Sequence, residues 1–127
     1  MPFAAALSNL PSLPSAIEEV AGEIASGLKG AAPNLTLVFA SHHYAARFEE
    51  LADSLKKALG TELILGCTGE TVIGRSYECE DCPALSVWCA AIPDATLIPF
   101  ELTFEETPDG FLCSGLPEDL SEHRDQT

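Results

Sequence analysis

The side chains best suited to chemistry in this sequence lie between Ser41 and Cys82. Cys67 and the pair His42-His43 offer a thiol and an imidazole, the nucleophile and base of a cysteine-dependent enzyme. No third group that would orient the imidazole is evident, and the plainer reading makes Cys67 a small buried residue and the histidines part of a helix's first turn. Cys79-Glu80-Asp81-Cys82 has the spacing of a redox pair or of half a zinc site. Two acids between the thiols and Pro83 behind them disfavour a thiolate, and Cys67, Cys89, Cys113 and His123 are too scattered to complete a tetrahedral site. Glu70 and Arg75 suit the ammonium and carboxylate of an amino acid, although a solvated Glu and Arg would look the same. Thr68 and the backbone amides of Gly66, Cys67, Gly69 and Glu70 are donors that a strand end would expose, with Ser41, His42 and His43 facing them.

The elements that must position these groups follow from the apolar periodicity. Ser15 and Glu18 form a capping box, and Ile17, Val20, Ala21, Ile24 and Leu28 continue at helical spacing until Gly30. Leu35 to Ala40 is an apolar run of strand length. From His42 to Leu59 the residues Tyr44, Phe48, Leu51, Leu55 and Leu59 predict an amphipathic helix that Gly60 ends. Glu62 to Leu65 is a second strand. Strand, helix and strand in this order form a right-handed βαβ unit, so the C-terminal ends of both strands open on one edge. Leu85 to Ile92 reads as a central strand joined through Pro93-Asp94 to a hairpin partner, Leu97 to Phe104, with Pro99 confining that partner to an edge.

The expected fold class is therefore α/β, a βαβ unit plus an antiparallel hairpin in a mixed sheet of about four strands with two helices. Residues 1–14, with Pro2, Pro11 and Pro14, read as an extended lead-in; 15–116 form one domain; 117–127 are an acidic tail. Trp88, Phe39, Phe48 and Phe100 are assigned to the core.

Composition narrows the partners. The chain has 127 residues, enough for one packed core, and a net charge of −14 from 20 acids against 6 Lys and Arg. That charge repels nucleic acid and anionic membrane surfaces. Neither a basic leader nor an apolar run of spanning length is present, which points to the cytoplasm. Five cysteines, an odd number, are read as free thiols.

Residues 66–84 form a long connection without helical period, and Gly66-Cys67-Thr68-Gly69-Glu70-Thr71-Val72-Ile73-Gly74 is too apolar for a disordered linker. Glycines there let backbone amides approach a ligand. The segment starts at the strand edge where open α/β sheets bind ligands.

Leu37-Val38-Phe39-Ala40-Ser41, Ile64-Leu65-Gly66-Cys67-Thr68-Gly69-Glu70 with Ile73-Gly74, Pro83-Ala84-Leu85-Ser86-Val87 and Pro99-Phe100 together resemble the FIST domain, named for F-box and intracellular signal transduction proteins. The resemblance covers most of residues 34–116. It implies a sensory module that binds small ligands such as amino acids and brings neither catalytic residues nor a cofactor. It also implies a longer N-terminal domain followed by a C-terminal one, alongside a signalling output domain. The ligand site is then shared with the missing C-terminal part, and an uncovered sheet edge is left for self-association as a homodimer. The function expected is ligand sensing through Ser41, Gly66, Cys67, Thr68, Gly69, Glu70 and Arg75. The alternatives are an enzyme using Cys67 with His42 or His43, and a protein-interaction module.

Overall fold

The computed structural model describes residues 2–74 and 76–118. The chain divides into two compact units, Met1–Ala95 and Thr96–Thr127.

In the first unit β1 (Phe3–Ser8) precedes α1 (Leu13–Leu28) and β2 (Leu35–Ser41). A 3₁₀ turn (His42–Arg47) leads into α2 (Phe48–Leu59), followed by β3 (Ile64–Gly69), β4 (Thr71–Gly74), β5 (Tyr77–Glu80) and β6 (Leu85–Ala90). Four strands form one sheet in the order β1-β6-β2-β3. β2 and β3 are parallel, while β6 runs antiparallel to both β1 and β2. The fold class is the expected one, a mixed sheet built on a βαβ unit with two helices.

Helix α1 forms because Leu13, Ala16, Ile17, Val20, Ile24 and Leu28 make one buried stripe. It ends where Lys29 and Gly30 take left-handed backbone angles. Helix α2 buries Leu51 and Leu55, carries Glu49 and Glu50 in its first turn and Lys56 and Lys57 in its last, and so complements its own dipole at both ends. Gly60, at φ 66°, closes it with its N–H on the Lys56 carbonyl at 2.9 Å. Both stripes join the same sheet face, through Ala4 and Ala6, Val38 and Ala40, and Leu85, Val87 and Cys89.

Strand pairing is held outside the ladder as well. The Asn34 side chain accepts from the Ile92 N–H at 2.7 Å and donates to the Ile92 carbonyl at 2.9 Å. Ser8 bonds Glu19, and Tyr44 donates to the Leu10 carbonyl, fastening both ends of the β1–α1 connection.

Several expectations are corrected. Residues 1–14 are not a surface lead-in, because β1 lies in the sheet with Ala4, Ala6 and Ser8 buried. The helix begins at Leu13 with Ser12 as its cap, and Ser15 sits inside it, its hydroxyl 3.2 Å from that of Ser12. Pro14 is tolerated because a first-turn residue has no intrahelical N–H bond to lose. The connection 66–84 is mostly ordered strand: β3 continues to Gly69, and β4 and β5 form a hairpin. β6 does not pair with the segment 97–104; its partners are β1 and β2.

The opposite sheet face is only partly covered. The register aligns Ala5, Trp88, Leu37 and Leu65 in one row and Leu7, Ser86, Phe39 and Cys67 in the next. The β4–β5 hairpin buries Val72, Cys79 and Ala84 beside Leu7 and Cys82. Phe39 and Leu65 remain 46% and 51% exposed, so Phe39 is a face residue and not a core residue. Trp88 and Phe48 are half-buried.

In the second unit β7 (Thr103–Thr107) pairs with β8 (Gly110–Ser114) across Pro108-Asp109, with Gly110 at φ 136°. The chain after Glu105, rich in turn-formers at Pro108-Asp109-Gly110, is thus a hairpin. Phe100, Phe104 and Phe111 are exposed, which removes Phe100 from the core as well. Of the acidic tail 117–127, only Pro117 and Glu118 are among the described residues. Among the described residues no helix is long and apolar enough to cross a membrane.

Candidate functional site

Parallel pairing of β2 and β3 sets Ala40 opposite Thr68 and Ser41 opposite Gly69. The two strands therefore finish together, and the chain leaves β2 directly into His42 and His43. This is the carboxyl edge of the parallel part of the sheet, where open α/β folds take ligands. The rings of His42 and His43 lie 4.1 Å apart, and both residues are exposed. Thr68 and Glu70 are exposed on the neighbouring strand end. The two histidines border the strand-end site, as their position immediately after the first strand of the βαβ unit suggests from the sequence.

Ser41 has a different environment. It is buried, its hydroxyl accepts from the Ala84 N–H at 3.0 Å, and its own N–H donates to the Ala84 carbonyl at 2.8 Å. The same hydroxyl lies 3.2 Å from His43 Nδ1. Ser41 thus anchors the strand end to the approach of β6 and steadies one of the histidines.

The glycines are explained by packing. A Cβ on Gly66 would stand 2.5 Å from the Val38 carbonyl oxygen, and one on Gly74 would stand 2.8 Å from Leu7 Cβ. Gly69 is less confined, with the Thr71 carbonyl oxygen at 3.2 Å from such a Cβ. Gly66 accordingly lets β3 close on β2, and Gly74 lets the hairpin close on β1 and β6. Cys67, one residue after Gly66, projects to the partly covered sheet face in the row of Phe39. Arg75 lies outside the described residues, so its pairing with Glu70 has no structural counterpart here.

Among the described residues no hydrogen bond links Cys67 to a histidine; His43 Nδ1 is engaged with Ser41 instead. Cys79 is buried in β5, and burial first, then the neighbouring Cys82 thiol, pushes its thiol above the ordinary value. Such a shift works against a reactive thiolate, as the acids and Pro83 suggested. Asp81, between the two cysteines, takes the left-handed conformation at φ 55°. Cys89 is buried against β2, where burial pushes its thiol up and the Thr36 hydroxyl at 3.3 Å partly offsets this. Among the described residues no three His, Cys, Asp or Glu side chains are grouped to hold a metal ion.

Fold and site together define an α/β module whose polar residues gather at the ends of two parallel strands and whose sheet has one helix-covered face. The chain belongs to the FIST family: the FIST N domain model matches residues 34–108. The family is one of sensory modules in signal transduction. The chain is also similar to the uncharacterized protein Rv0628c of Mycobacterium tuberculosis, at 26% identity over 92% of this chain and 30% of the relative. It is similar to the uncharacterized protein Mb0898c of Mycobacterium bovis, at 29% identity over 83% of this chain and 27% of the relative. It therefore spans under a third of the length of these curated relatives.

Proposed function

We propose that this chain supplies one wall of a small-ligand site in a cytoplasmic sensory protein, and that the ligand is a polar metabolite of the amino-acid class. The observation that carries the reading is the joint ending of β2 and β3, with Thr68 and Glu70 on one strand end and His42-His43 leaving the other. Glu70 offers an anion for an ammonium group, the imidazoles offer donors for a carboxylate, and the Thr68 hydroxyl and the Gly69 amide offer directional hydrogen bonds. Ser41 and Gly66 act at one remove, by fixing the strand ends. Arg75 is a second carboxylate partner in this reading, and Cys67 borders the site from the other sheet face.

Exposure of His42, His43, Thr68 and Glu70 makes this an open ledge, so enclosing a ligand takes further chain. The missing C-terminal part of the same protein is that second wall, and a signalling output domain reads its closure. The ligand shifts the open and closed populations by its difference in affinity for the two.

Isothermal titration of the natural amino acids into the longest chain that contains residues 1–127 tests the proposal. Saturable heat for at least one amino acid, lost in a Thr68→Ala, Glu70→Gln double variant that melts normally, is the expected result. Heat that is unaffected by both substitutions removes the strand-end site.

A further inference from the structure

Ser41 holds the N-cap position of the 3₁₀ turn His42–Arg47, where a serine hydroxyl ordinarily accepts from an N–H of the turn that follows. It makes no such bond. The hydroxyl is diverted to two other partners, accepting from the Ala84 N–H at 3.0 Å and lying 3.2 Å from His43 Nδ1.

Counting protons fixes the state of the histidine. A serine hydroxyl has one hydrogen to donate and lone pairs with which to accept. The Ala84 N–H can only donate, so it takes a lone pair of Oγ. The hydroxyl hydrogen then needs an acceptor of its own, because Ser41 is buried and water does not supply one. Among the described residues the second partner of Oγ is His43 Nδ1. A neutral imidazole carries one ring proton, and a ring that accepts at Nδ1 bears it on Nε2. The reverse arrangement, with Nδ1–H donating to Oγ, would crowd two donors onto the hydroxyl and leave its own hydrogen orphaned in the interior.

The ring is also held in place. His42 stacks on it with centroids 4.1 Å apart and planes at 30°, and a half-turn of the ring would carry Nδ1 off Oγ. With Nδ1 on the buried hydroxyl, Nε2 is directed away from it on an exposed residue at the carboxyl edge of β2. His42, by contrast, makes no ring hydrogen bond among the described residues.

We infer that Ser41 is a positioning residue for the strand-end ledge: it fixes His43 as a neutral ring with its proton on Nε2, an outward donor that takes a carboxylate oxygen and rejects an ammonium group. The inference rests on the reading of the joined ends of β2 and β3 as an amino-acid site, and it orients the ligand there. The carboxylate lies toward His43, and the ammonium lies toward Glu70 on the adjoining strand end.

Long-range proton–nitrogen correlation NMR of the histidine rings in the 127-residue chain, above the ordinary imidazole pKa of about 6.5, tests the first half. In the ligand-free chain His43 shows a protonated Nε2 and a bare Nδ1, whereas His42 shows the averaged signals of an unrestrained ring. Ser41→Ala brings His43 to averaged signals, and Ser41→Thr, which keeps the hydroxyl, restores the single form. Urea unfolding confirms that both variants are folded, and a purely structural role for Ser41 would leave the tautomer unmoved. A proton on Nδ1, or the same His43 signals with and without the hydroxyl, overturns the inference. Each natural amino acid and its decarboxylated amine are then titrated into the longest chain that contains residues 1–127. At least one amino acid shifts His43 Nε2, and its amine does so about tenfold or more weakly. An equal response to the amine overturns the carboxylate role of His43. A fixed tautomer with no response to any amino acid removes the ligand reading instead, so the two failures are told apart.

Discussion

Ser41 and Ala84 are bonded twice over: the Ala84 N–H donates to Ser41 Oγ at 3.0 Å and the Ser41 N–H donates to the Ala84 carbonyl at 2.8 Å. A buried serine with this pattern closes the end of β2 onto the chain entering β6. Ser41→Ala leaves the Ala84 N–H without its acceptor, and the expected loss is about 1–3 kcal/mol. Urea unfolding measures it, with the midpoint falling and the slope unchanged. Because the same hydroxyl lies beside His43, the histidine ring signals move in the NMR spectrum of the folded variant.

Gly66→Ala separates packing from ligand binding. The new Cβ meets the Val38 carbonyl oxygen at 2.5 Å and Val38 Cβ at 3.0 Å, and a backbone atom cannot swing aside. Parting β3 from β2 costs about 1–3 kcal/mol, as overpacked interiors do. Gly69→Ala, with its nearest contact at 3.2 Å, loses less. Thermal melts of the two variants side by side give the ranking, and a larger loss at Gly69 would contradict it.

These positions also show how far the sequence could be read. The βαβ unit was legible because Leu51, Leu55 and their neighbours repeat at helical spacing between two apolar runs. β1 was not, since Ala4, Ala6 and Ser8 are too small to advertise a buried face, and the prolines around them suggested a loop. The long connection concealed a hairpin for a related reason: Gly66 and Gly74 look like loop punctuation, whereas each is required by a neighbouring atom. The fourth strand was misassigned because Leu97 to Phe104 alternates well, and no local pattern could reveal that β6 pairs with residues more than 80 positions earlier, such as Phe3 with Ala90. Of the strand-end site, Thr68, Gly69 and Glu70 were legible from position alone. The dual bond of Ser41 was not, because its partner Ala84 contributes only backbone.

The buried thiols set an alkaline limit on stability. Cys89 and Cys79 both titrate above the ordinary value of 9.0, chiefly because burial disfavours the thiolate. The folded chain thus holds these protons when the unfolded chain has released them, so stability is flat below that value and falls as pH rises past it. Urea midpoints measured at about pH 8 and about pH 10 show the drop, and it shrinks in a Cys79→Ala, Cys89→Ala variant. Tyr44, whose phenol burial also pushes up, adds a loss of the same sign at higher pH.

Phe39 and Leu65 report on the partly covered sheet face. Both are about half exposed, at 46% and 51%, so replacing each with threonine costs little in folding, within about 0.5 kcal/mol for an exposed position. The same substitutions reduce association of the isolated chain, since contiguous apolar surface drives it. Sedimentation velocity over a range of concentrations checks this. Unchanged association would place the contact elsewhere.

Two-dimensional NMR of the labelled chain during titration with individual amino acids reads directly whether the joined ends of β2 and β3 receive a small polar ligand. Saturable shifts at His42, His43, Thr68, Gly69 and Glu70 are expected for at least one of them, with Gly22 and Ala5 unmoved. Shifts confined to other surfaces, or none at saturating concentration in a chain long enough to include the second wall, would contradict it.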